Sequence, residues 1–216
     1  MSGEHPIPFT GEMVRAALNG RKTQTRRVVR GDPVALAAIE HWRCDIDDPQ
    51  AWLGWQEAIG WCPEPVIWVR CPYGAAGHRL WVRESHYLQW GTHDPWPDLP
   101  SSAVEPIGAP PQRCYYREGF DRSAPRWRPS IHMPRWASRI TLEVVSVRIE
   151  RLQDITEADA RAEGVRPAPF TKAGRPVDQL HVDAFEILWD RINARRGYPW
   201  ESSPCVWVIE FRMCDQ

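Results

Sequence analysis

Alternating apolar and polar positions predict β-strands in four parts of the chain. The strongest pattern covers residues 138–151, where the apolar phase shifts at Val144 and Val145. Such a shift predicts a bulge or a bend within one long strand. Three shorter segments show strand patterns, at 66–70, 79–84 and 205–212.

Helical spacing of apolar residues predicts four helices, at residues 11–18, 34–42, 155–164 and 177–194. The third has clear end signals. Thr156 is a good N-cap, Asp159 stands three residues later as in a capping box, and Gly164 marks the end. Strands and helices together predict a mixed α+β fold whose strands form a small barrel.

Between Leu88 and Pro134 no period dominates the pattern. Nine of the 21 prolines lie between Pro95 and Pro134. We expect an extended loop or insert here, with a short strand at 114–117. A long segment of this kind inside one domain is often a lid or a binding loop.

Charge and hydropathy narrow the function class. The formal net charge is -1 with 25% charged residues, which argues against a protein whose main task is to neutralise many phosphates. The N-terminal residues lack the pattern of a signal peptide, and the longest apolar stretches are strand-sized. We therefore expect a cytoplasmic protein that does not interact with membranes.

The six cysteines form no CxxC pair and no zinc-site spacing. We predict reduced, partly buried thiols and no metal. The alternative is a metal site built from Cys62, Cys71, His78 and His86.

A basic run after the first predicted helix contains the first candidate for chemistry. Six basic residues and no acid lie between Arg15 and Arg30, and Lys22 is one of only two lysines in the chain. Lys22 and Thr25 are three residues apart, so on a helical turn they would face the same way. An amine that loses its proton can activate a neighbouring hydroxyl. The alternative is a solvated basic face.

Two carboxylates are further candidates. Glu163 ends the third predicted helix, where the helix dipole disfavours a negative charge, so it invites a partner or a function. The alternative is a solvent-exposed side chain. Glu84 is the last residue of the predicted strand at 79–84. It could hold the base, or could pair with Arg83 or Arg79.

Three segments together carry a family resemblance. LNGRKTQTRR at 18–27, ITEADARAEGV at 155–165 and VWVIEFR at 206–212 resemble the ASCH domain family of the PUA-like superfamily. Within it, the chain is similar to small bacterial amidohydrolases that remove acyl groups from N(4)-acetylcytidine. The segments 77–85 and 127–144 also resemble larger ASCH-type proteins of phages and prophages.

The resemblance implies one domain over residues 1–216, a small β-barrel flanked by helices. It places long Pro- and Trp-rich insertions at about 31–76, 87–128 and 166–200. His78 stands where the family usually carries Asp after Gly. The protein would act in a bacterial cytoplasm, or in the host cytoplasm if phage-encoded.

The family motif assigns roles to particular residues. It implies that Thr25 is the nucleophile, that Lys22 is its base, and that Glu163 orients Lys22 or delivers a proton to the leaving nitrogen. The substrate would be a modified nucleoside, with no cofactor. We assign substrate binding to Arg21, Thr23, Arg27, Trp81 and Glu84, with Trp127 and Trp136 as further candidates to stack on a pyrimidine.

The alternative function is RNA or modified nucleic-acid binding. Residues 113–139 contain seven arginines and two acids, interleaved with aromatic side chains. This composition is typical of a groove that follows a nucleic-acid strand. A third function is a ribonuclease that uses the same Lys, Thr and Glu. We favour the amidohydrolase.

Overall fold

A computed structural model of the chain describes residues 3–45, 47–55, 67–104, 112–122, 125–169 and 178–214. The fold is mixed α+β, as predicted. It contains more strand than helix. Its centre is a five-stranded sheet in the order β1-β6-β10-β11-β2. The bounds are β1 Glu4–Pro8, β2 Gln24–Val28, β6 Arg79–Arg83, β10 Thr141–Arg151 and β11 Cys205–Met213.

β1 pairs with β6 in parallel, and the other three pairings are antiparallel. The register of β10 against β11 shifts between Val144 and Ser146, which confirms the bulge predicted there. The outer strands β1 and β2 approach each other through side chains, because Arg27 Nη2 donates to the Pro8 carbonyl at 2.7 Å. Backbone pairing between these two strands is absent from the described residues, so the sheet is open there.

Three of the four predicted helices are confirmed. α1 spans Gly11–Leu18, α3 Glu157–Ala162 and α4 Leu180–Asn193. The capping box of α3 forms as expected, with Thr156 and Asp159 each bonding the other's backbone. The helix predicted at 34–42 is wrong in its second half. α2 covers only Pro33–Ala37, and His41–Cys44 form strand β3, because they pair with β4 at Ala51–Trp55.

Two of the insertions contain small sheets. The first is β3-β4-β5, with β5 at Ile67–Arg70 as the strand pattern predicted. The second contains β7 at His86–Trp90, β8 at Ser101–Val104 and β9 at Gln112–Tyr116, in the spatial order β7-β9-β8. The short strand predicted at 114–117 is confirmed as part of β9, whereas the rest of 88–134 is not one extended loop, because β7 and β8 pair with β9 there. These strands are defined by their pairing, and their short, proline-flanked segments show little alternation.

The main core lies between the central sheet and α1, and includes Ile7, Val14, Leu80, Leu142 and Trp207. A second cluster packs α3 and α4 against the sheet. No helix in the described ranges has the length and apolar character that a bilayer crossing needs.

The five described cysteines form no disulfide. Burial raises the pKa of Cys71 to about 11 and that of Cys114 to about 12, so both thiols stay protonated near neutral pH. Cys62, a ligand in the alternative metal site, lies outside the described residues. The described part of the chain holds no group of three or more His, Cys, Asp or Glu side chains suited to a metal ion.

Candidate functional site

The segment between α1 and β2 is clamped by three elements. Arg21 N and Lys22 N both bond to the Ala16 carbonyl at the end of α1. Thr23 N bonds to Ala162 O in α3, and Thr23 O accepts from Phe211 N in β11. Lys22 thus lies outside the helix and Thr25 lies within β2. The expectation that these two residues share a helical turn is wrong, because the chain leaves α1 at Leu18.

Lys22 forms a fully buried ion pair with Glu163. Its Nζ donates to Glu163 Oε2 at 2.7 Å, to the Glu163 carbonyl at 2.9 Å and to the Gln24 carbonyl at 2.8 Å. The two side chains are 0% and 1% exposed. The solvated basic face and the exposed glutamate are therefore both wrong as interpretations of these residues. All three protons of the ammonium group have acceptors.

Burial lowers the pKa of Lys22 below its ordinary value, since the charged form is disfavoured in a low-dielectric interior. Glu163 acts in the opposite direction, and the neighbouring Arg27 and Arg26 add to the lowering. The net direction is downward. The lysine therefore gives up a proton more easily than a lysine in water.

Gly164 explains how α3 brings its last carboxylate onto Lys22. This glycine has φ of +81°, the left-handed conformation that ends many helices. A Cβ atom at this position would lie 2.8 Å from both Ala16 Cβ and Lys22 Cβ. A larger residue would push α3 away from the segment, so the glycine sets the close approach of Glu163.

Arg26 is a residue of the site whose carboxylate partners sequence reasoning missed. Its side chain is fully buried, and its guanidinium lies 3.1 Å from Glu150, 3.4 Å from Asp159 and 3.6 Å from Glu163 Oε1. Arg148 extends this network by pairing with Glu150 and Asp159. Strand alternation in β2 would have placed Arg26 and Gln24 on one face, but the sequence does not show which carboxylates cover that face.

The Thr25 side chain is buried, and its hydroxyl has no hydrogen-bond partner among the described residues. Glu163 Oε1 and Arg26 Nη1 are also buried without a hydrogen-bond partner there. Buried polar atoms of this kind are rare in folded proteins and often mark a ligand, water or catalytic site. Glu163 Oε1 and Arg26 Nη1 face each other at 3.6 Å, and Thr25 is the neighbour of Arg26 in β2, so we take this region as the candidate functional site.

The ring of Phe9 is approached both by Lys22 and by Arg27, which lies on the same face of β2 as Thr25. Lys22 Nζ lies 5.5 Å and Arg27 Cζ 5.8 Å from the centre of this ring. Arg27 and Thr25 are two residues apart in the strand, so their side chains share a face. The bond from Nζ to the Gln24 carbonyl also holds the amine beside the Gln24–Thr25 peptide.

Arg21 and Thr23, predicted to bind substrate, are exposed beside this cluster. Arg21 Nη1 donates to the Gly164 carbonyl at 3.1 Å. Thr23 contributes its backbone to α3 and β11 as described above.

Glu84 and Trp81 belong to a different cluster. Glu84 is 2% exposed and forms two parallel hydrogen bonds of 2.9 Å with Arg139, so the expected pairing with Arg83 or Arg79 is wrong. Burial raises the pKa of Glu84. Trp81 is 8% exposed, with Arg83 4.6 Å and Arg135 5.9 Å from its ring. No described hydrogen bond or ion pair joins Glu84 or Trp81 to the Lys22 cluster.

Aromatic side chains of the second insertion pack mainly against one another. Trp96 contacts Tyr87, Tyr115 and Phe120 edge-on, with ring centres 5.0–6.2 Å apart. Trp127 contacts Phe120 in the same way, at 5.1 Å. Trp136 is half-buried against the cluster of Cys114 and Tyr116. These contacts build a small core for the insertion.

A pocket of about 490 Å³ lies between α1, the segment 163–166 and α4. Glu163 is among its lining residues, whereas Lys22 and Thr25 are not. Its size suits a small ligand. The pocket reaches the Lys22 cluster from the Glu163 side.

Comparisons with protein-family models, with curated proteins and with solved structures found no match to this chain.

Proposed function

We propose that this protein is an amidohydrolase that removes the acyl group from N(4)-acylated cytosine nucleosides, on a PUA-like (ASCH) barrel frame. One observation carries the proposal. Lys22 and Glu163 form a buried lysine–carboxylate pair, Lys22 Nζ also donates to the Gln24 carbonyl next to Thr25 in the chain, and the buried Thr25 hydroxyl has no described hydrogen-bond partner. The family resemblance of the GRKT segment supports the substrate class, and the proposed setting is a bacterial or phage-infected cytoplasm.

The proposed first step forms an acyl ester. Lys22 passes one proton to Glu163, which gives a neutral amine and a neutral carboxylic acid. Thr25 Oγ then attacks the acyl carbon as its proton moves to Lys22. The C–N bond breaks, and Glu163 returns its proton to the leaving N4 atom. The products are cytidine and an acyl-Thr25 ester, with the ion pair restored.

Water completes the cycle through the same pair. Lys22 again transfers a proton to Glu163 and then accepts one from the attacking water. The ester bond breaks, and Glu163 protonates the Thr25 oxygen. A carboxylic acid leaves, and both side chains return to their charged forms. These steps use side chains alone and involve no cofactor or metal.

Access to Thr25 requires movement, because this residue has no exposed surface. We place the acylated base in the pocket of about 490 Å³, on the Glu163 side of the cluster. The side chains over β2 separate when the acyl group enters. Exclusion of bulk water would then keep the pKa of Lys22 low during the reaction.

The nucleic-acid alternatives have less support from the described residues. The aromatic side chains Trp96, Phe120 and Trp127 are half-buried and contact one another edge-on. RNA binding and ribonuclease activity become the next hypotheses if the amidohydrolase assay fails.

Ultraviolet absorbance of N(4)-acetylcytidine tests the proposal. We expect wild type to remove the acylcytidine band, Thr25→Val to lose this activity, and Thr25→Ser to retain part of it. Because the Thr25 hydroxyl has no described partner, the valine variant should fold with unchanged or slightly higher stability. Glu84→Gln is the matched control and should stay active. Folded wild type that leaves the band unchanged, also with bulkier acyl groups, contradicts the proposal.

A further inference from the structure

We infer that the pocket between α1 and α4 binds a phosphate group, so that the substrate is an acylated cytidine mononucleotide in preference to the nucleoside. This inference rests on the proposed function and deepens it. Its basis is the charge and shape of the pocket wall, which includes a helix from the third insertion.

The described lining of the pocket has more positive than negative side chains. Four arginines and two glutamates line it among the described residues. Two of the arginines are engaged with carboxylates, Arg15 with Glu118 and Arg191 with Glu12. These pairs join α1 to the second insertion and to α4, and so fix the walls.

Arg21 and Arg166 are the two remaining arginines of the lining. In the described part of the chain neither has an ion pair, and the one recorded hydrogen bond of Arg21 goes to the Gly164 carbonyl. Both residues are exposed. Each guanidinium therefore has N–H groups available for an anion, and arginine binds phosphate oxygens through two parallel bonds.

The rest of the lining suits a base and a sugar. Met13, Ala16, Val165 and Leu188 provide apolar surface on both sides. A volume of about 490 Å³ between two helices fits one nucleotide. Glu163 lines the same pocket, so a nucleotide held by Arg21 and Arg166 would have its base near the reactive pair.

Parallel assays of N(4)-acetylcytidine, its 5′-monophosphate and an acetylated oligonucleotide test this inference. We expect kcat/KM to be highest for the monophosphate, and calorimetry to show that CMP binds more tightly than cytidine. Arg21→Ala and Arg166→Ala should each weaken CMP binding by about tenfold or more, the cost of losing a charge-assisted hydrogen bond. Arg212→Ala is the control, because its partner is Glu143 on β10. It removes the same charge away from the pocket.

The outcomes separate the two proposals. Equal kcat/KM for nucleoside and monophosphate overturns the phosphate site and leaves the amidohydrolase in place. CMP binding that depends on Arg21 and Arg166, without hydrolysis of any substrate, supports the phosphate site and contradicts the proposed reaction. A preference for the oligonucleotide overturns the mononucleotide and favours a nucleic-acid substrate. Absence of CMP binding overturns the inference.

Discussion

Two buried acid–base pairs in this molecule look alike by distance and differ in chemistry. Lys22 and Glu163 are joined at 2.7 Å, and Arg139 and Glu84 by two bonds of 2.9 Å. The arginine pair is bidentate, and Arg139 also donates to the Glu118 carbonyl and lies 4.1 Å from the Tyr116 ring. The lysine pair has one bond between its charged groups, and Glu163 Oε1 has no hydrogen-bond partner among the described residues and faces Arg26 Nη1 at 3.6 Å.

The difference teaches which pair can move a proton. A guanidinium keeps its proton in proteins, so the pair of Arg139 and Glu84 does not exchange a proton. Its role is structural, because Arg139 bonds both to Glu84, directly after β6, and to the Glu118 carbonyl in the second insertion. An ammonium releases its proton when it is buried, and the pKa of Lys22 is lowered for this reason. We therefore expect catalysis from one pair and structural stabilisation from the other.

Exchanging the two cations should have the largest effect. Lys22→Arg retains the charge but loses the removable proton, so hydrolysis of N(4)-acetylcytidine should fall by about 10²- to 10⁴-fold. Arg139→Lys should leave kcat unchanged. Lys22→Met is a second variant, in case the guanidinium does not fit. Normal activity in both Lys22 variants would contradict the distinction.

Removing one partner should destabilise the fold at either pair. Glu163→Leu removes the carboxylate from the fully buried Lys22 and should lower the free energy of unfolding by about 3–5 kcal/mol. Glu84→Leu should lower it by less, because Arg139 is 16% exposed and keeps its bond to the Glu118 carbonyl. The double variants Lys22→Met/Glu163→Leu and Arg139→Met/Glu84→Leu should recover most of this loss. Urea denaturation measures all four. The first double variant should stay inactive and the second active, so that activity separates the pairs where stability does not.

The pH dependence of stability should reveal the lowered pKa of Lys22. In the folded state this lysine binds a proton less readily than in the unfolded chain. Stability should therefore rise with pH between the folded pKa and the ordinary value of 10.5, and be lost as pH falls through the folded pKa. The difference in the free energy of unfolding between wild type and Lys22→Met, measured as a function of pH, isolates this contribution. A difference that does not change over this range would contradict the expectation.

The contribution of Glu84 to the free energy of unfolding should fall with rising pH, in the acidic range. We expect this change to be smaller than the change due to Lys22. Its pKa is raised by burial, so its contribution to stability is complete below the ordinary value of 4.5 and decreases as pH rises through the folded pKa. The difference between wild type and Glu84→Gln should decrease with pH in this window. A difference that increases would show that Arg139 outweighs burial.

Local signals allowed much of the fold to be predicted. The capping box at Thr156 and Asp159, and the bulge after Val144, depend on residues close together in sequence. In the second insertion the pattern predicts the strand at 114–117 but not β7 and β8, because these strands are held by cross-strand pairing and by aromatic contacts among distant residues such as Trp96 and Tyr115. The end of the helix predicted at 34–42 was lost to strand pairing in the same way.

Only part of the candidate site could be predicted from the sequence. Lys22, Thr25 and Glu163 were identified from a motif and a dipole argument, and the structure places Glu163 on Lys22. The ion pairs of Arg26 could not be predicted, because its partners Glu150, Asp159 and Glu163 come from two other parts of the chain. The partner of Glu84, 55 residues away, could not be read from local spacing.

Carbon-13 NMR of the lysine side chains tests the central claim most directly, namely that Lys22 is a removable-proton site. The chain has only two lysines, Lys22 and Lys172, so ¹³C-lysine labelling gives two signals, and Lys22→Arg assigns them. We predict that the Cε signal of Lys22 titrates below pH 10.5. Titration at or above that value would show that the pair with Glu163 holds its proton firmly, as Arg139 does, and would contradict the account.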